Sequence, residues 1–193
     1  MGDRTDISVI GIGGEGCSII DYLLEHGVDD LHYIAADTDE QSLRNSACTN
    51  RISLGANTKP KPFCHLSPEW CSLAAHDDRE LIRRALHGSE LVVVVAGLGG
   101  NTGSGIAPVA CQLARESGIR VCAAILFPFP FEGRQRRAIA EASVVRLRQH
   151  INEIAVINCD KVIAGLPADM RFQDVLELVN AETAGRIVLM MGG

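Results

Sequence analysis

The stretch Leu91-Val92-Val93-Val94-Val95-Ala96 is continuously apolar and mostly β-branched, and a run with five glycines in nine residues follows directly, from Gly97 to Gly105. An uninterrupted apolar run of this length predicts a strand covered on both faces, the habit of a parallel sheet flanked by helices. The rest of the chain keeps the same rhythm. Strands are predicted at Ile7 to Ile12, Leu31 to Ala36, Val121 to Phe127 and Ile154 to Asn158. Helices are predicted at Ser18 to His26, Asp77 to His87, Ile106 to Ser117, Gln135 to Ile151 and Phe172 to Met191. Strand and helix in alternation imply an α/β fold with helices on both faces of the sheet. Gly55 to Cys71 reads as a long loop with three prolines, Pro60, Pro62 and Pro68.

Two glycine runs stand at strand ends, where open α/β sheets bind ligands. The first is Gly11-Ile12-Gly13-Gly14-Glu15-Gly16, of which Gly13 to Gly16 reads as a tight turn before a helix. It satisfies GxGxxG, and Asp37 and Asp39 follow at about the distance of a ribose-binding acid, so an NAD-binding Rossmann domain is one reading. The second, Gly97 to Gly105, offers backbone N–H groups and two hydroxyls, which suits a polyphosphate. A dinucleotide fold does not need it, and it lacks the lysine of a Walker A loop. A plain strand-to-helix turn is the structural alternative for either run.

The 193 residues suit one domain spanning 1–193, and 47% apolar against 22% charged residues indicates a packed core. A net charge of −6 and a 4% aromatic fraction argue against nucleic acid as a partner. No apolar run approaches the roughly 20 residues of a membrane span, and the N-terminus lacks the apolar core of a signal peptide. A cytoplasmic protein with no membrane partner is expected. Its seven scattered cysteines read as small buried hydrophobes. Cys64, His65, Cys71 and His76 are zinc-type ligands, but their spacing fits no ordinary site, so no metal centre is expected.

The run GLGGNTGSGIAPV resembles the signature loop of tubulins in its bacterial form. The blocks GIGGEGCS, IAADTD, FPFPFEGRQRR, INCDK and DVLELVNAE follow the order of the GTPase domain of FtsZ, the bacterial cell-division tubulin homologue. The resemblance implies a three-layer, Rossmann-like GTPase fold and GTP or GDP as ligand, with Mg2+ compatible. By it, Gly13, Gly14, Glu15, Gly16, Cys17 and Ser18 form the first phosphate loop. Gly99, Gly100, Asn101, Thr102, Gly103, Ser104 and Gly105 form the second. Glu132 meets the ribose, Arg136 stands near the nucleotide, and Asn158 and Asn180 lie on the base side. Arg134, Arg137, Arg146 and Arg148 read as a solvated helix face.

Several positions depart from that pattern. Glu15 and Cys17 replace glycines, and Glu15 brings a carboxylate toward the phosphates. Ser18 replaces an asparagine, and Asn101 replaces a glycine. The stretch KPKPFCHLSPEW stands where the family senses the γ-phosphate, and its prolines withhold backbone donors. Cys159, Leu176 and Ala181 stand at base-contacting positions, Leu176 in place of a stacking aromatic. The sequence ends before the acidic loop that completes hydrolysis in a neighbouring subunit, so no catalytic residue is assigned and little turnover by the chain alone is expected. Ile187 to Met191 is apolar all round and calls for cover from its own sheet, another copy or a partner. Four readings follow: a nucleotide binder that associates with an FtsZ-type protein or with itself, through the nucleotide face or the C-terminal helix; a GTPase completed by a partner's acidic loop; an interaction module without nucleotide; and an NAD-binding protein.

Overall fold

A computed structural model describes residues 6–59, 67–167 and 169–192. Six strands form one sheet: β1 (Ile7–Ile12), β2 (His32–Asp37), β3 (Arg51–Ser53), β4 (Leu91–Gly97), β5 (Arg120–Phe127) and β6 (Ile154–Asn158). Their order is β3-β2-β1-β4-β5-β6, and every pair is parallel. Among the described residues, six α-helices lie between the strands, α1 (Gly13–Glu25), α2 (Glu40–Asn45), α3 (Pro68–Asp77), α4 (Arg79–Leu86), α5 (Asn101–Glu116) and α6 (Arg134–Leu147), and two follow β6, α7 (Cys159–Ile163) and α8 (Phe172–Met191).

The two-residue period of a strand divides the interior into two cores. In β4, Val92, Val94 and Ala96 join the core built with α3, α4, α5 and α6. Leu91, Val93 and Val95 join the core built with α1, α2, α7 and α8. All seven residues of β4 are therefore buried, as its composition requires. This is the expected three-layer α/β architecture. From β1 the chain steps outward to β2 and β3, then returns across β1 to add β4 on its other side. The order reverses between β1 and β4, so a crevice opens at their carboxyl ends, where α1 and α5 leave toward opposite faces.

Both helices start earlier than expected, within the glycine runs, while Gly11 and Gly97 close β1 and β4. α1 begins at Gly13, and α5 begins at Asn101, ahead of the expected Ile106. Glycine's low helix propensity hides such starts. Close packing demands them instead. A Cβ on Gly16 would stand 2.6 Å from the Val95 carbonyl oxygen, and one on Gly103 would stand 2.1 Å from that of Gly97.

The expected long loop is shortened by α3, whose start carries its own signal. Ser67 caps the helix by accepting from the Trp70 N–H at 3.2 Å, with Pro68 at the first position. The helix expected from Asp77 to His87 is split at Asp78, whose carboxylate accepts from the Gly55 N–H at 2.6 Å. Pro60, Pro62, Cys64 and His65 lie outside the described residues.

The C-terminal helix is covered in part by its own domain. Ile187 is fully buried with Val179, Thr183, Ala184 and Met190, whereas Val188 and Leu189 face outward, Leu189 at 71% exposure. No helix among the described residues is long and apolar enough to cross a membrane.

Candidate functional site

The amino ends of α1 and α5 stand side by side beyond the paired strands β1 and β4: a Cβ on Gly13 would lie 3.4 Å from the Gly103 nitrogen. Neither end has a side-chain cap; the capping positions are Ile12 and Gly100. Their first N–H groups lack helical partners, and both helix dipoles present a positive end. Such an end binds anions. The glycines divide into two sets. A Cβ on Gly14 or Gly100 would meet nothing within 4 Å, so these two face open space. Gly16, Gly103 and Gly105 serve packing; a Cβ on Gly105 would lie 2.3 Å from the Pro68 carbonyl oxygen of α3. Gly13 and Gly99 hold the turns at φ 73° and 99°, in the left-handed region.

The hydroxyls of the second run are already engaged. Ser104 Oγ accepts from the Gly99 N–H at 2.8 Å and closes the turn. The Ser104 carbonyl accepts from Ser143 Oγ at 3.2 Å and from Arg146 Nη2 at 3.1 Å. Arg146 thus departs from the solvated face expected of it: it reaches back from α6 and holds the glycine run from behind. Thr102 Oγ1 lies 3.4 Å from Thr38 Oγ1, and Asn101 is exposed at the first position of α5.

The crevice in front is a cleft of about 530 Å³, lined by Gly14, Glu15 and Ser18 of α1, the β4 end, Glu132 and α8. That volume falls within the range of small-ligand sites. Glu132 accepts from the Phe129 N–H at 2.8 Å through Oε1, and its other oxygen pairs with Arg136. Asn180 Nδ2 lies 3.4 Å from Ser18 Oγ, which joins α8 to α1 at the far end. Cys159 lines the cleft, and burial first, then nearby carboxylates, pushes its thiol up to about 11. Asn158 lies elsewhere: its side chain caps α7, accepting from the Asp160 N–H at 3.2 Å, and it lines a separate depression with Lys161 and Leu178. Cys17 faces inward, with its sulfur 3.9 Å from the Gly11 carbonyl oxygen, and burial raises its thiol to about 12.

Glu15 is the unusual member. It is exposed toward the cleft, and its carboxylate lies over Gly97. A Cβ on Gly97 would stand 2.7 Å from Glu15 Oε2 and 2.8 Å from Cδ. Desolvation raises its carboxyl above the ordinary value, and Glu132 and Asp37 add to the rise. The group's own backbone N–H and Arg136 act in the opposite sense.

Sequence reasoning missed the aromatic end of the cleft. Phe129, Phe131 and Phe172 form a cluster with ring centroids 5.1, 5.7 and 6.0 Å apart. Phe131 and Phe172 are 69% and 54% exposed, and both line the cleft beside Leu176. The alternation FPFPF was the available signal; Phe172 joins it only through the tertiary fold. No group of three or more metal-ligating side chains assembles among the described residues.

The sequence model of the Tubulin/FtsZ family, GTPase domain, matches residues 6–166. The chain belongs to this family. Cell division protein FtsZ of Buchnera aphidicola subsp. Acyrthosiphon pisum (strain APS) is 32% identical over 187 residues, covering 97% of this chain and 49% of that protein. FtsZ of Neisseria gonorrhoeae is 34% identical over 168 residues, 87% of this chain and 43% of that protein. Among solved structures, an empty FtsZ dimer of M. jannaschii superposes with a TM-score of 0.86 at 28% identity, over 95% of this chain and 53% of that one. CetZ2 of Haloferax volcanii, a GTPγS-bound protofilament, shares the fold with a TM-score of 0.78 at 22% identity, over 96% of this chain and 57% of that one. The chain spans about half the length of the curated relatives it matches.

Proposed function

We propose that the cleft binds a guanine nucleotide, GDP or GTP. The observation that carries this is the pair of uncapped helix starts, α1 and α5, set side by side: Gly14 lines the cleft with Glu132 and with Gly97 and Leu98 of the second run, and Gly100, just beyond them, faces open space. The phosphates lie against the two helix ends, the ribose hydroxyls against Glu132, and the base between Ser18, Asn180 and the exposed phenylalanines. Mg2+ arrives with the phosphates. Family membership supports the guanine nucleotide over NAD, and the second glycine run gives a polyphosphate a binding surface that a dinucleotide fold does not need.

Turnover by the isolated chain is slow in this reading. The two carboxylates lining the cleft are Glu132, engaged by Arg136 and the Phe129 N–H, and Glu15, held over Gly97. Neither is free to orient an attacking water. The corresponding partner is an FtsZ-type polymer, in the cytoplasm, and a partner's acidic loop would complete a GTPase site in trans. Sedimentation of that polymer with and without the chain reads the association, and added phosphate release reads the completed site.

Calorimetric titration with GDP, GTP, ATP and NAD tests the ligand. Saturable binding of GDP or GTP with weaker ATP binding is expected. Binding of NAD alone would refute the proposal. Binding of none of the four would favour the interaction module, the reading to which the Glu15 carboxylate lends weight.

A further inference from the structure

The place where two helix starts meet is electropositive by backbone alone, yet it already holds an anion. Glu15 stands in the first turn of α1, and its carboxylate lies across Gly97 at the mouth of the second run. It thus occupies part of the space beside the helix ends that a phosphate would use. The groups acting on it are Glu132 from the 3-10 turn Pro130–Glu132, Asp37 at the end of β2, Cys159 at the start of α7, and Arg136 on α6. Arg136, the cation of this set, is paired with Glu132. No ion pair with Glu15 forms among the described residues.

We infer that Glu15 is an internal competitor for the phosphate position, so that the cleft takes up a nucleotide together with one proton on the Glu15 carboxyl. The inference rests on the nucleotide reading above. A phosphate placed beside an ionised Glu15 confronts a like charge in a partly desolvated crevice, with Glu132 and Asp37 adding the same sign. Neutralising Glu15 removes that repulsion. The direction in pH follows. Protonation is favoured at low pH, so Glu15 opposes binding more strongly as pH rises. Because the carboxyl is raised in the free protein, the change begins closer to neutrality than for an ordinary glutamate.

The test compares GDP binding by the wild-type chain, Glu15→Gln and Glu15→Ala from pH 5.5 to 8.5, in buffers of differing ionisation heat. The ratio of wild-type to Glu15→Gln Kd is expected to approach one at the acid end. It should exceed about tenfold at the alkaline end, the factor carried by one pKa unit. Wild type should take up more protons per GDP bound than either variant, which removes the nucleotide's own titration from the comparison. Equal affinities, slopes and proton uptake in all three, with GDP bound, would overturn the role of Glu15 and leave the nucleotide site standing. Binding by the variants alone would support the role. Absence of binding by all three across the range would overturn the nucleotide reading and this inference with it.

Discussion

Gly103→Ala and Gly14→Ala should have opposite consequences, although both glycines sit in the first turn of a helix. In an open helix position alanine is favoured over glycine by about 1 kcal/mol. At Gly14 nothing lies within 4 Å of a new Cβ, so that gain is available and stability should hold or rise slightly. At Gly103 the Cβ would be 2.1 Å from the Gly97 carbonyl oxygen, more than 1 Å inside ordinary contact. The obstacle is backbone of a fully buried strand, so no side chain can swing aside. Relief requires α5 to lift from β4, and overpacking of this kind costs about 3 kcal/mol. Set against the helix gain, the net loss is about 2 kcal/mol, a fall in Tm of roughly 4–8 °C for a chain of this size. Urea unfolding followed by circular dichroism reads both variants, and GDP titration reads the cleft. Gly14→Ala should weaken GDP binding by about tenfold while its unfolding midpoint stays put, because the methyl enters the space given to phosphate. Equal unfolding midpoints for the two variants would refute the division of these glycines into packing and ligand-facing sets.

Three further outcomes follow from packing and charge. Arg146→Met should destabilise the fold by about 1–3 kcal/mol in urea unfolding, since it removes the hydrogen bond that holds the Ser104 carbonyl. Ile187→Ala should cost about 2–5 kcal/mol in the same assay, and Leu189→Ala less than about 0.5, because one side chain is fully buried and the other 71% exposed. Stability should decline in alkali. Cys17 and Cys122 are pushed up to about 12 and Cys159 to about 11 by burial, so each contributes stability below the unfolded thiol range near 9 that is lost as pH climbs toward the folded values. Chemical denaturation at pH 8, 9.5 and 11 checks this, and a flat profile would refute it.

What was legible in the sequence was whatever burial alone dictates. β1, β6 and α8 occupy their expected ranges, and β4 extends the expected run by one residue, to Gly97. Local propensity failed where tertiary contact decides. The helix starts at Gly13 and Asn101 were hidden because glycine disfavours helix, while Gly16 and Gly103 are required for the approach of helix to strand. β3 has three residues and α2 six, too short for any period to emerge. The start of α3 was written in Ser67 and Pro68 but masked by the prolines before it. At the site, the glycine runs and Glu132 could be named from their order along the chain. The inward reach of Arg146, the placement of Asn158 as a helix cap and the meeting of Phe131 with Phe172 depend on how α6, α7 and α8 pack, which no local pattern encodes.

The central claim is that the amino ends of α1 and α5 hold the phosphates of a guanine nucleotide. Mapping backbone amide chemical shifts during titration with GDP tests it most directly. The account predicts the largest saturable shifts at Gly14, Glu15, Gly100, Asn101 and Thr102, with smaller ones at Glu132 and Asn180. Shifts confined to other parts of the surface, or none at saturating GDP from pH 5.5 to 8.5, would contradict it.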